Sequence, residues 1–330
     1  MRASSPWKAH LAQVRREVGR MVTPAVVMVA GIACAVLGGD LFVRGVVSLA
    51  AWWRVPAGII GATVAAFATS SPELSVAVSA ATRGSPEIAL GDALGSNVVN
   101  IGVVLGIALA FSAITMDRGV MVRDLPMALA APAVLGLLGL DGNVSRVDAA
   151  VLMVLFLGWL IQTTLAARNA RDAVVAVLQE RTHARVVVSL LSGLVLLVLA
   201  GQLIVVAASG ISDALGWDGF VVGAVFVAIG TSTPEIATML AARIRRHDEV
   251  GVGTVLGSNI FNTLLVVGTA ALITPIEVAR AEIEIGILTS MLVVVLAIPG
   301  RSRRLGRWRS VPLVSAYLAL VAFISTGSGT

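Results

Sequence analysis

Long apolar runs alternate with short polar breaks along the whole chain. They fall near residues 21–43, 57–82, 88–113, 125–140, 149–167, 186–210, 219–242, 251–273, 285–299 and 310–325. A helix needs about 20 mostly apolar residues to cross a bilayer. Barrel strands would be about ten residues long with alternating polarity, and these runs are neither. The pattern predicts an all-α polytopic membrane protein with ten transmembrane helices. The fourth and ninth runs are short, and are expected to sit against other helices rather than in lipid.

Composition agrees with that class. Of 330 residues, 57% are hydrophobic and 13% charged, where soluble domains carry about 25% charged residues. The formal charge of +5 does not imply nucleic acid, because basic cytoplasmic loops produce it. The single cysteine, Cys34, lies in an apolar run and excludes disulfides and cysteine metal sites within the chain.

Basic residues sort by side. The connections near 44–56, 114–124, 168–185, 243–249 and 300–309 hold 16 Lys and Arg, and those near 83–87, 141–148, 211–218 and 274–284 hold 3. The positive-inside rule then places the first group, with the linker 168–185, in the cytoplasm and both termini outside. The tail 1–20 carries five more basic residues, with Trp7, Leu11, Val14 and Val18 on one helical stripe. That pattern fits an interfacial helix on either leaflet. The start also resembles a signal peptide, but the first apolar run is long for one and has a repeat counterpart at 186–210, so it is expected to be retained.

The chain repeats itself at an offset of 162 residues. Gly61-Ala-Thr-Val-Ala-Ala-Phe-Ala-Thr-Ser-Ser-Pro-Glu73 aligns with Gly223-Ala-Val-Phe-Val-Ala-Ile-Gly-Thr-Ser-Thr-Pro-Glu235, with 7 of 13 positions identical. Gly91-Asp-Ala-Leu-Gly-Ser-Asn-Val-Val-Asn100 aligns with Gly253-Thr-Val-Leu-Gly-Ser-Asn-Ile-Phe-Asn262, with 6 of 10 identical. The expected organisation is a first five-helix repeat at 21–167, with its motif segment at 57–113, and a second at 186–326, with its segment at 219–275. Five helices per repeat is an odd number, so the second copy enters the membrane from the opposite side. Inverted repeats of this kind place a site near the midplane of secondary transporters.

Glu73 and Glu235 lie mid-span with no Lys or Arg in the neighbouring turns. A charge there costs about 2.5–3.5 kcal/mol on insertion scales. A bound cation or a proton would neutralise the pair; a protonated glutamate bonded between helices is the plainer alternative. Pro72 and Pro234 lack an N–H, so the carbonyls of Ala68 and Gly230 lose their helical partner. Breaks are expected at 69–71 and 231–233, leaving carbonyls and hydroxyls beside each carboxylate. Such oxygens suit hard cations such as Ca²⁺; a simple proline kink is the alternative. Ser96 and Asn100 share a helix face, as do Ser258 and Asn262. Gly91 and Gly95, and Gly253 and Gly257, leave room for close helix approach. Asp92 has Thr254 as its counterpart, and could line an ion path or lie at a solvated helix end.

These motifs resemble those of the Ca²⁺:cation antiporter family, the sodium/calcium exchangers and their prokaryotic relatives. The signature Gly-Thr-Ser-x-Pro-Glu with Gly-Ser-Asn-x-x-Asn reads here as Ala68–Glu73 with Gly95–Asn100, then Gly230–Glu235 with Gly257–Asn262. Ala68 is a mild departure. The resemblance implies the second, third, seventh and eighth helices packed in a diamond around the site. It implies that Glu73 and Glu235 bind both ions, Ca²⁺ together with Thr69 and Thr231. It also implies two Na⁺ sites, one of Thr69, Ser70, Ser96 and the Ala66 carbonyl, the other of Thr231, Ser232, Ser258 and the Ala228 carbonyl. Asn100 and Asn262 match a central polar pair at which some relatives carry Asp. Asn at both positions leaves the Na⁺ stoichiometry, and Na⁺ against H⁺, open.

The expected activity is exchange of Ca²⁺ for Na⁺ across the cytoplasmic (inner) membrane by alternating access, the first and sixth helices sliding against the core. Ca²⁺/H⁺ exchange on the same carboxylates is the runner-up, and a passive divalent-cation channel a remote alternative. An intramembrane hydrolase fits poorly, since His10, His183 and His247 all lie outside the apolar runs. No cofactor, regulatory domain or obligatory protein partner is expected. The partners are Ca²⁺, Na⁺ or H⁺, and the bilayer.

Overall fold

The computed structural model describes residues 6–82, 84, 86–171, 183–215, 228–277 and 280–327. Ten helical segments run through them. They are α1 (Pro6–Trp53), α2 (57–82), α3 (86–111), α4 (120–138), α5 (Arg146–Arg171), α6 (His183–Leu215), α7 (228–244), α8 (Asp248–Ile273), α9 (Arg280–Leu296) and α10 (Ser310–Gly327). Five contain stretches long and apolar enough to cross a membrane on their own, and α2 makes a sixth across its bend. The linker residues 172–182, the tail residues 1–5, and 216–227 at the start of the second motif segment lie outside the described residues.

The first helix departs from its expected end. It runs through to Trp53 rather than stopping near 43. Arg44 does not break it, because Asp40 one turn earlier pairs with it at 2.8 Å, and Val46 and Leu49 then continue a buried stripe. The backbone is also helical from Pro6, continuous with the span.

The repeat is visible in fine detail. A π-helical stretch starts at Val99 in α3 and another at Phe261 in α8, 162 residues apart. Each inserts an extra residue into the helix one position before Asn100 and Asn262. Four short strands behave likewise: β1 (Ile114–Thr115), β2 (Asn143–Val144), β3 (Ile276–Glu277) and β4 (Arg304–Leu305). β1 pairs antiparallel with β4, Ile114 opposite Leu305, and β2 with β3, Val144 opposite Ile276. Both ladders cross between the repeats. Each joins two connections that the charge distribution assigns to the same side, β1–β4 within the basic group and β2–β3 within the other.

The buried apolar residues form two clusters. The main core gathers α3, α4, α5, α8, α9 and α10 around residues such as Leu105, Leu135, Leu152, Leu256 and Val293. A second cluster joins Phe42, Val43, Val46 and Leu49 of α1 and Val186 and Leu197 of α6 to Ile60 and Ala65 of α2, Ala242 of α7 and Val250 of α8. Gly193 lets α1 and α6 touch: a Cβ there would stand 2.5 Å from the Phe42 nitrogen. The expectation for α4 and α9 is met in part. They pack on one another, with Gly136 against Ile287. Each still presents an open face, however, with Leu137 at 68% and Leu288 at 65% exposure, as lipid-facing side chains would be.

An aromatic group fixes α8 to its neighbours. Phe261 meets Phe156 edge-on at 5.0 Å, Trp159 at 5.9 Å and Phe67 at 5.8 Å. Trp159 also donates its indole N–H to Asp124 at 3.2 Å. Arg123 grips the same carboxylate through two bonds of 2.7 Å. Buried charges persist only when paired and hydrogen-bonded in this way. Trp159→Phe removes that donor and leaves a cavity where the larger indole was packed, so it is expected to cost at least about 1.5 kcal/mol, read as a lowered unfolding midpoint in detergent.

Candidate ion-binding site

The two glutamates stand at twin helix interruptions. The halves of α2, Ala57–Thr69 and Ser71–Thr82, meet at Ser70 with a bend of 43°. Ser70 leaves helical geometry at φ −86°, ψ 8°, and Ser232 in α7 does the same at φ −80°, ψ 5°. Each interruption lies two residues before a proline, Pro72 or Pro234, inside the expected 69–71 and 231–233. Proline supplies no N–H to close the preceding turn. Glu73 and Glu235 then open the following half-helix, where exposed N–H groups and the helix dipole favour an anion.

Most polar side chains of the motifs lie inside the protein, while Thr63, Ser71 and Asp92 are half-buried. Thr69, Glu73, Ser96, Asn100, Ser232, Glu235, Ser258 and Asn262 are inaccessible or nearly so, as are Ser70 and Thr231. Ser258 Oγ donates to Glu235 Oε1 at 3.0 Å, and Ser70 Oγ reaches the same oxygen at 3.5 Å. Thr69 Oγ1 lies 3.3 Å from Ser258 Oγ and 3.3 Å from the Ala66 carbonyl. The other Glu235 oxygen has no partner, and neither oxygen of Glu73 has one, among the described residues. Ser96 Oγ and Ser232 Oγ are also unpartnered there, as are both ends of the Asn262 amide. Buried polar atoms normally find partners. A concentration of orphaned oxygens around two carboxylates is what hard cations require.

Ser258, which the resemblance groups with Thr231 and Ser232, stands beside Thr69 and shares Glu235 Oε1 with Ser70. The oxygens are collected across the repeats because α8 rests directly on the first half of α2. A Cβ on Gly253 would fall 2.5 Å from the Gly58 carbonyl, and one on Gly257 2.3 Å from that of Ala62. These glycines therefore do allow close approach. For Gly91 no described residue lies within 4 Å of a Cβ, and positions 220 and 224, which the repeat relates to 58 and 62, are outside the described residues. The same segment precedes Ala228, where the described part of α7 begins. Asp92 is not a free helix end: its Oδ1 accepts from Thr231 Oγ1 at 3.4 Å.

The sequence did not single out a set of amides joining α3 to α8. Asn97 donates to Thr263 Oγ1 at 2.7 Å, Asn259 donates to the Asn97 carbonyl at 3.0 Å, and Asn100 donates to Asn259 Oδ1 at 3.1 Å. Asn97 and Asn259 sit inside the repeated motif and could have been read from it. Thr263 could not, since its counterpart is Ile101.

Comparison with known proteins decides the family. The family described as "Sodium/calcium exchanger protein" matches residues 23–165 and again 185–326. The chain belongs to the sodium/calcium exchanger protein family. Its second match begins 162 residues after the first, at the repeat offset. Among curated relatives, inner membrane protein YrbG of Escherichia coli is 30% identical over 92% of this chain and 97% of its own length. The putative antiporter CaxA of Alkalimonas amylolytica is 31% identical over 92% and 97%. A solved structure of the sodium-calcium exchanger NCX_Mj superposes with a TM-score of 0.79 at 28% identity, covering 92% of this chain and 98% of that one. This family member therefore has the ten-helix, two-repeat exchanger fold. It is a membrane transporter of the cation/Ca²⁺ antiporter class and not an enzyme.

Proposed function

We propose that this protein exchanges Ca²⁺ for Na⁺ across the cytoplasmic membrane, with both ions competing for Glu73 and Glu235. One observation carries the reading: two buried carboxylates with three unpartnered oxygens between them and no Lys or Arg paired to either among the described residues. Thr69 and Thr231 complete the Ca²⁺ position. Na⁺ takes the hydroxyls and carbonyls on either side: Ser70, Ser258 and the Ala66 carbonyl in one group, Ser96, Ser232 and the Ala228 carbonyl in the other. Asn100 and Asn262 line the centre. Because one set of carboxylates serves both ions, binding of one expels the other, and either gradient drives the opposite flux.

Alternating access is assigned to the α1–α6 pair, which packs on the rest of the protein through the cluster it shares with Ile60, Ala65, Ala242 and Val250, through Gly39 on the Ala237 carbonyl and through the Asp40–Arg245 ion pair. Sliding of that pair exposes the site to one side and then the other. The linker 168–185 lies in the cytoplasm and the termini outside, in keeping with the basic connections and with the ladders that join like-sided loops.

The test is uptake of radiolabelled Ca²⁺ into vesicles under an imposed outward gradient. Na⁺ is expected to stimulate uptake strongly. Stimulation by H⁺ alone would replace Na⁺ with the proton on the same glutamates, and stimulation by neither removes the antiport reading.

A further inference from the structure

Asp92 breaks the symmetry of the site. It lies on α3, four residues before Ser96 and on the same face. Its counterpart Thr254 is satisfied within its own helix, donating to the Val250 carbonyl at 2.9 Å. Asp92 reaches across to the second repeat instead, where Thr231 Oγ1 stands 3.4 Å from its Oδ1. That distance is beyond the usual range for a hydroxyl on a carboxylate. Its other oxygen, Oδ2, is buried with no hydrogen-bond partner among the described residues. No ion pair among them includes Asp92. Glu73 is fully buried with both oxygens unpartnered among the described residues. A carboxylate oxygen buried without a hydrogen-bond partner or a cation is a costly arrangement. No three carboxylates converge on a single metal position among the described residues, so Asp92 does not join the Glu73–Glu235 pair as a third ligand of one ion.

We propose that Asp92, with Thr231, holds a hard monovalent cation beside the glutamate pair, on one side of it only. This rests on the exchanger reading and adds to it a third carboxylate and a polarity. Asp92 is six residues into α3 from Pro86, beside the 83–87 connection. Thr254 is six residues into α8 from Asp248, beside the opposite mouth. One mouth therefore carries a fixed negative charge where the other carries a neutral hydroxyl. The protein should bind Na⁺ more tightly when open to the 83–87 side.

The experiment compares wild type with Asp92→Asn and with Asp92→Thr, the residue that the second repeat accepts at the same place. In vesicles of defined orientation, Asp92→Asn is expected to raise the half-activating Na⁺ concentration about tenfold on the 83–87 side, as for loss of one charged ligand. The opposite side is expected to shift much less, and Asp92→Glu to recover part of the loss. Equal shifts on both sides, or none, overturn the proposal. A readout independent of transport is thermal unfolding of the purified protein in NaCl against choline chloride. Asp92→Asn should need about tenfold more Na⁺ for the wild-type stabilisation, and an unchanged Na⁺ dependence overturns the proposal. Wild type that binds Na⁺ but shows no gradient-driven Ca²⁺ flux contradicts the exchanger reading instead.

Discussion

Glu73→Gln and Glu235→Gln are each expected to abolish Ca²⁺ flux while leaving a folded protein. Glutamine keeps the shape of the side chain and removes its charge. At position 235 the amide carbonyl still accepts from Ser258, now at 3.0 Å, so the local packing survives. At position 73 no protein hydrogen bond is lost, because neither oxygen has a partner among the described residues. The loss falls on the ion. A carboxylate ligand removed from a site this dry should weaken Ca²⁺ binding by at least about a hundredfold, or about 2.8 kcal/mol. The two effects separate in one measurement. Without Ca²⁺, both variants should unfold close to the wild-type midpoint. With Ca²⁺ at a hundred times its Kd, wild type gains about 2.7 kcal/mol, and the variants gain almost none. Full transport in either variant would contradict the site.

Gly257→Ala is expected to be the most damaging added methyl group in the core. Its Cβ would stand 2.3 Å from the Ala62 carbonyl oxygen and 2.7 Å from the Ala66 Cβ. The first of these is backbone inside α2 and cannot rotate away. Overpacking costs about 1–3 kcal/mol and sometimes more, and this contact belongs at or above the upper end. The damage reaches the site as well, since pushing α8 off α2 separates Ser258 from Thr69 and Ser70. Gly158→Ala is the control. It lies exposed on α5, with no described residue within 4 Å of a Cβ, and should change stability by less than about 1 kcal/mol. Unfolding in detergent measures both. A Gly257→Ala protein with wild-type stability would mean that α8 does not rest on α2.

Much of this site was legible in the sequence because membrane burial makes polar residues conspicuous. Glu73 and Glu235 stand out in apolar spans, and the repeat shows that neither is accidental. Pro72 and Pro234 locate the interruptions to within a residue of Ser70 and Ser232. The sequence does not say which helix of one repeat lies on which helix of the other. For that reason the contact of Ser258 with Thr69 is not legible from spacing, although Gly253 and Gly257 beside it make the contacts with α2 that bring the two together. The amide bridge through Asn97, Asn259 and Thr263 was hidden for a related reason. Two of its members sit in a motif that packing alone would explain, and the third has no repeat counterpart. The end of α1 was misplaced because Arg44 looks like a boundary until Asp40, one turn away, is seen to neutralise it.

The crossed ladders bear on ancestry. β1 and β3 occupy one place in the repeat unit, and β2 and β4 another, and every pairing joins the first kind to the second kind from the other half. A lone five-helix polypeptide, inserted in both orientations, would therefore make the same contact twice as an isologous, antiparallel homodimer. Fusion of such a gene to itself would have needed only a tether such as the one now running from α5 to α6, with no new contact between the halves.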